Sequence, residues 1–203
     1  MGYFLAAALA YALGSSNMAF YIARYKGVDL RGAGTGNLGT SNATILLGWL
    51  SGVLVGIHDI GKAILAVWLA KTLLPELPAV GAVAGVACVL GHIFPFYLRF
   101  RGGKGFAPYL GMTIALSWKL AIFILILVVV VTLLTDYISL ATLATVTVVP
   151  IGMGVSTGGI LTPLILLVAT GVIVFKHREN ITRLRRGTEI GLRSAASGKH
   201  KIQ

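Results

Sequence analysis

Apolar residues run through this chain in long blocks, and polar residues are confined mostly to the gaps between them. The blocks and their punctuation predict membrane-spanning helices near 2–23, 50–74, 78–98, 105–118, 119–135, 137–155 and 159–176, the fourth short and rich in glycine. A bilayer takes about 20 apolar residues per helix, so most of these blocks are long enough to cross one. Seven spans is the expectation; merging two pairs of blocks would give five.

Composition sharpens this picture. The 203 residues are 57% hydrophobic and 11% charged, with a mean hydropathy of +0.90, which excludes a water-soluble domain and leaves no length for a sizeable extramembrane one. The first residues carry no basic region ahead of the apolar run, which favours a retained first span over a cleaved signal. The single cysteine, Cys88, sits in an apolar run and reads as a small packing residue.

Seventeen Lys and Arg against six Asp and Glu give a formal charge of +11. In a soluble chain that would suggest nucleic acid; in a membrane chain it orients helices, and no nucleic-acid partner is expected. With the N-terminus outside, the inward segments hold Arg24, Lys26, Arg31, Arg99, Arg101 and Lys104. The tail adds Lys176, Arg178, Arg183, Arg185, Arg186, Arg193, Lys199 and Lys201. Outward segments hold only Lys71 and Lys119, and Lys62 falls within a span. The expected fold is therefore an all-α integral membrane protein of about seven transmembrane helices, N-terminus outside and C-terminus cytoplasmic. Residues 1–176 would form the transmembrane domain and 177–203 a basic cytoplasmic segment.

Three inward segments concentrate the polar and glycine residues. In RGAGTGNLGTSNATILLG, residues 31–48, Gly34, Gly36 and Gly39 satisfy GxGxxG, but no strand precedes them, so a dinucleotide site does not fit. Glycines let backbone N–H groups converge on an anion, and Asn37, Ser41 and Asn42 add side-chain donors. A tight re-entrant turn would also use the glycines, though not the donors beside them.

The second segment, GHIFPFYLRFRGGKGFAPYLG, residues 91–111, turns through Gly102, Gly103, Lys104 and Gly105 into a helix. It is not a Walker A loop, yet a glycine-flanked lysine at a helix start suits a phosphate. Arg99 and Arg101 read as topology charges. The third, KHRENITRLRRGTEIG, residues 176–191, places His177 and Asn180 three apart on one helix face. Its arginines suit an interfacial helix drawn to anionic lipid.

Within the spans, Asp59 and Lys62 are three apart, the spacing of an intramembrane ion pair. A mutually neutralising structural pair and a substrate contact both fit. His58 and His92 fit satisfied core histidines, and His92 abuts the second segment. Ser139 is a hydroxyl donor near the inner surface.

Asp29, Asp59, Glu76, Asp136, Glu179 and Glu189 are scattered, so a metal-assisted mechanism is not expected and no metal site or cofactor is assigned. Neither an HxxxxD pair nor a thiol beside a histidine is present, so a covalent acyl-enzyme is not expected. The chain offers several phosphate-binding devices next to an apolar interior able to accept an acyl chain.

GAGTGNLGTSN, GHIFPFYLRFRGGKG and HRENITRLRRGTE, in this order, resemble the three motifs of the acyl-phosphate:glycerol-3-phosphate acyltransferases, the PlsY family. The similarity extends through GSSNMAFYIARYKGVDLR, the Asp59 and Lys62 region and YISLA. It implies a seven-span enzyme of the bacterial inner membrane that transfers a fatty acyl group from acyl phosphate to glycerol 3-phosphate. The products are lysophosphatidic acid and phosphate; no metal or acyl-enzyme is used, and both substrates meet at the cytoplasmic side.

The resemblance places Thr35, Gly36, Asn37, Gly39 and Ser41 around the acyl-phosphate headgroup. It makes Lys104, His177, Asn180 and Ser139 candidates for binding the phosphates and orienting the acceptor. The candidate substrate-binding set also takes in Asn42, Asp59, Lys62, His92, Gly102, Gly103 and Gly105. Expected partners are the two substrates and membrane lipid, with a functional link to an acyl-phosphate synthase implied by the family alone. The hydroxyl proton could leave to a substrate phosphate or to His177. One departure stands out: the family commonly has Arg three residues after the motif-one Asn, where this chain has Ile45. A paralogue with a changed acceptor, or a small transporter for an anion or lipid phosphate, are the competing readings.

Overall fold

The computed structural model describes residues 1–193; Lys199 and Lys201 of the tail charge lie outside the described residues. It divides into two compact units, one from Met1 to Ser117 and one beginning at Trp118.

The first unit holds α1 (Gly2–Ser15), α2 (Met18–Lys26), α3 (Thr40–Leu47), α4 (Trp49–Leu73), α5 (Val80–Ile93) and α6 (Phe106–Leu116). The block at 2–23 is therefore two helices and not one. It breaks at Ser16 and Asn17, where Asn17 Oδ1 accepts from the Phe20 amide at 2.8 Å and caps α2. Helix α2 stops at Gly27, whose φ of 67° is the left-handed conformation that ends many helices.

Small residues let the helices of this unit approach closely, as in membrane bundles, where shape and not water exclusion drives packing. Helix α1 packs along α5 through a seam of Ala6, Ala10, Ala84, Ala87 and Cys88. At its end Gly14 lies on the Cys88 backbone and Gly91 on the Tyr11 backbone, with no room for a Cβ at either. Cys88 is fully buried there as a packing residue.

The second unit holds α7 (Trp118–Thr135), α8 (Ile138–Thr157), α9 (Leu161–Lys176) and α10 (Arg178–Arg185). Ile124 is the one buried residue of α7, so nearly the whole helix surface is available to lipid. Pro150 inside α8 cannot donate to Val146, and the freed carbonyl is met instead by Thr170 Oγ1 from α9 at 2.9 Å.

Among the described residues five helical stretches are long and apolar enough to cross a membrane, or six if the bent α9–α10 pair is one broken span. The difference from seven has two sources. Helix α6 has 11 residues and reaches about 17 Å at about 1.5 Å per residue, little more than half a bilayer core. Helix α9 has 16, just short of an unaided crossing.

Candidate functional site

In the first unit, motif one is a loop tied by one residue. Asn42 is completely buried; its amide donates to the carbonyls of Leu30 at 2.7 Å, Asn37 at 2.9 Å and Ala33 at 3.3 Å, and its Oδ1 accepts from the Thr35 amide at 2.7 Å. Sequence alone makes Asn42 a ligand donor, but its donors are committed to the loop. Gly34 and Gly36 are left-handed, at φ 61° and 67°, and a Cβ on Gly34 would run into Asn42 Oδ1.

Asn37 folds its amide back onto Thr35 Oγ1 at 2.8 Å. Gly39 opens α3 with no side-chain cap, which leaves first-turn amides available beside the exposed Ser41 and the half-buried Thr35. The Thr40 hydroxyl is buried beside Gly56 with no hydrogen-bond partner among the described residues. The first-turn amides with the Thr35 and Ser41 hydroxyls form an anion-receptive rim. Ile45 lies one turn further along α3, 41% exposed.

Motif two contains a 3-10 turn, Phe96–Leu98, after which Arg99 and Phe100 are both left-handed, a costly backbone for residues with side chains. Gly102 and Gly103 are buried and run back along α5, their amides donating to the carbonyls of Ile93 at 3.0 Å and His92 at 3.2 Å. A Cβ on Gly102 would meet the His92 carbonyl, and one on Gly103 the His92 ring. These glycines are therefore required by close packing on α5. Gly105, at φ 95°, opens α6, and Lys104 is half-buried just ahead of it.

Arg31 Nη2 donates to the carbonyls of Leu98 at 3.1 Å and Arg101 at 2.9 Å, tying the two loops together. Asp59, Lys62 and His92 are all buried. Lys62 Nζ lies 2.7 Å from Asp59 Oδ1, donates to the Ser16 carbonyl at 2.7 Å, and stands 3.1 Å from His92 Nδ1. His58 stands 3.1 Å from Ser16 Oγ and 3.3 Å from Asp59 Oδ1. The ion pair expected from spacing is present.

In the second unit, α9 and α10 bend by 54° at His177. The His177 ring is buried with Nδ1 2.8 Å from the Ile173 carbonyl. A carbonyl only accepts, so Nδ1 carries the proton and Nε2 is the basic nitrogen of the neutral ring. Asn180, on the first turn of α10, donates to Glu189 Oε1 at 2.6 Å, and Arg183 Nε donates to Glu189 Oε2 at 2.7 Å.

Burial opposes ionisation of Glu189, but Asn180, Arg183 and Ser139 outweigh it and hold the carboxyl below its usual range. Ser139 acts by proximity, its buried hydroxyl lacking a hydrogen bond of ordinary geometry. Arg183 is thus a partner of Glu189 and not simply a lipid-facing charge. Glu189, read from sequence as one scattered carboxylate, is the centre of the cluster. An (i, i+9) separation from Asn180 carries no periodic signal.

Residues 4–187 match the family model for glycerol-3-phosphate acyltransferase. The glycerol-3-phosphate acyltransferase of Geotalea daltonii is 39% identical over 183 residues, covering 89% of this chain and 92% of the relative. That of Desulfovibrio desulfuricans is 40% identical over 184 residues, covering 90% and 81%. Among solved structures, the crystal structure of PlsY, an integral membrane glycerol 3-phosphate acyltransferase, in its glycerol 3-phosphate form matches with a TM-score of 0.91 at 33% identity. That match covers 97% of this chain and 98% of that one. The lysophosphatidic acid form of PlsY matches with a TM-score of 0.86.

Proposed function

Because the chain belongs to the glycerol-3-phosphate acyltransferase family and is a multi-pass membrane protein, we propose that it transfers a fatty acyl group from acyl phosphate to glycerol 3-phosphate. The observation that carries the choice of an activated phosphate donor is the motif-one rim. It joins an uncapped helix start, two left-handed glycines and the hydroxyls of Thr35 and Ser41, a set of donors suited to a phosphate headgroup.

In this reading the acyl carbonyl carbon is attacked by a hydroxyl of glycerol 3-phosphate. The new C–O ester bond forms as the bond to the phosphate oxygen breaks, and inorganic phosphate leaves. An acyl phosphate is already activated, so the enzyme's work is positioning and stabilising developing negative charge. Thr35, Gly36, Asn37, Gly39 and Ser41 hold the donor headgroup. Lys104 supplies a charge-assisted contact to a substrate phosphate. Ser139, His177 and Asn180 serve the acceptor, and its proton passes to His177 Nε2 or to a substrate phosphate oxygen. Asn42, Gly102, Gly103, Asp59, Lys62 and His92 shape the loops instead of touching substrate.

The charge distribution supports an odd number of traverses, with the N-terminus outside and residues 31–45, 99–105 and 177–189 on the cytoplasmic side of the inner membrane. Donor choice is tested by offering the purified protein in lipid nanodiscs the same acyl chain as acyl phosphate, acyl coenzyme A or an acyl carrier protein thioester. Lysophosphatidic acid should form from acyl phosphate alone. Equal or faster transfer from a thioester refutes the proposed donor.

A further inference from the structure

Lys62 stands where three otherwise separate parts of the first unit meet. The break at Ser16 and Asn17 leaves the Ser16 carbonyl without a helical partner inside an apolar span, an orphan of the kind a membrane interior cannot leave unmet. Lys62 Nζ meets it at 2.7 Å. The adjacent residue, Asn17, donates its amide to the Leu38 carbonyl at 3.3 Å, and Leu38 sits in motif one between Asn37 and Gly39. On its other side Lys62 stands against His92 Nδ1. The His92 carbonyl and ring are the surface on which Gly103, and hence the backbone leading into Lys104, is laid.

Asp59 completes the arrangement, contacting Lys62 at 2.7 Å and both histidines at 3.3 Å through the same oxygen. Its second oxygen is buried with no hydrogen-bond partner among the described residues. A buried pair with an unsatisfied oxygen is poor value as a stabiliser: well-packed apolar residues of similar volume usually do as well or better. What the pair supplies is geometry.

We propose that Lys62, held in place by Asp59, is a positioning residue that fixes both substrate loops at once, motif one through Ser16 and Asn17 and motif two through His92. This rests on the reading of those loops as substrate-binding. Its structural part is testable without any substrate, which keeps the two separable.

The experiment compares the purified full chain with two paired variants, Asp59→Leu/Lys62→Met and Asp59→Asn/Lys62→Gln. The readouts are thermal stability, hydrogen exchange at residues 37–39 and 102–103, and kcat/KM for acyl transfer. The apolar pair removes the buried charges together and so avoids stranding one of them. It is expected to unfold near the wild-type temperature, to exchange about tenfold faster at both loops, and to lose at least about tenfold in kcat/KM. The amide pair keeps donors toward Ser16 and His92 and is expected to bring exchange and kcat/KM back together toward wild type.

Loops of the apolar pair that exchange at the wild-type rate overturn the proposal. So does an amide pair with slow loops and no recovery of kcat/KM, which would make Lys62 a charge acting on substrate. An apolar pair that unfolds far below wild type also overturns it, since the pair would then be a stabiliser. If loop exchange behaves as expected while no form transfers an acyl group, the positioning role stands and the functional reading falls.

Discussion

Asn180 donates to Glu189 across 2.6 Å, and this contact dictates which way the Asn180 amide faces. With Nδ2 committed to the carboxylate, the carbonyl oxygen of Asn180 is the end presented elsewhere. Glu189→Gln keeps an acceptor for Asn180 but sets an amide donor against Arg183 Nε, which also donates. Losing these charge-assisted bonds is expected to cost about 1.5–3 kcal/mol, read as a lowered unfolding temperature. A variant as stable as wild type would mean the cluster carries no such energy.

The same cluster gives a pH dependence of known sign. The Glu189 carboxyl is held below its usual range in the folded chain, so its contribution is complete above the ordinary value near about 4.3 and is lost as pH falls through the folded value. Proteolysis within residues 186–192 is expected to accelerate only below about pH 4.3, and Glu189→Gln is expected to show no such step. Acceleration between pH 5 and 7 would contradict the assignment.

Asn42 is predicted to be the least replaceable residue of motif one. Asn42→Ala leaves buried loop groups unpaired, at about 1–3 kcal/mol. Asn42→Asp turns a donor aimed at three carbonyls into a buried charge and is expected to cost more than about 4 kcal/mol. Unfolding temperatures of the two variants should fall in that order, and the reverse order would show that Asn42 does not tie the loop.

Glycine substitutions separate packing from phosphate contact. Gly103→Ala forces a methyl into the His92 ring and is expected to cost roughly 1–3 kcal/mol of stability even without substrate. Gly171→Ala, in an open stretch of α9, is expected to stabilise by about 0.5–1 kcal/mol. If Gly103→Ala unfolded at the wild-type temperature, its glycine would be needed for ligand alone.

Much of this was legible in the sequence, for particular reasons. Helices announce themselves through apolar length, and the Gly102–Gly105 turn through its glycines. Asp59 and Lys62 announce themselves as charges that a span does not tolerate singly. The break at Ser16 and Asn17 was hidden because two polar residues in an apolar run look tolerable until the cap on Phe20 is seen. Arg31 enters the sequence reading only as a charge, and its contacts to Leu98 and Arg101 span nearly 70 residues and leave no periodic trace. The bonds of Asn42 and Glu189 are hidden for a related reason: which carbonyls or donors converge on a side chain is a property of the folded loop.

Ile45 bears on the acceptor. A guanidinium at that exposed position of α3 would offer a bidentate clamp for a phosphate dianion. Ile45→Arg is expected to lower KM for glycerol 3-phosphate by up to about tenfold with kcat little changed, the signature of added ground-state binding. A wild-type KM that Ile45→Arg leaves unmoved would mean another charge already fills that role.

The central claim is acyl transfer from acyl phosphate to glycerol 3-phosphate, and phosphate release tests it most directly. Purified protein is given acyl phosphate with and without radiolabelled glycerol 3-phosphate, and phosphate and labelled lysophosphatidic acid are counted together. Release is expected to depend on glycerol 3-phosphate and to match lysophosphatidic acid one to one, as the bond exchange requires. Release that ignores glycerol 3-phosphate, or no release from a folded protein that moves phosphate compounds across a vesicle, would contradict it.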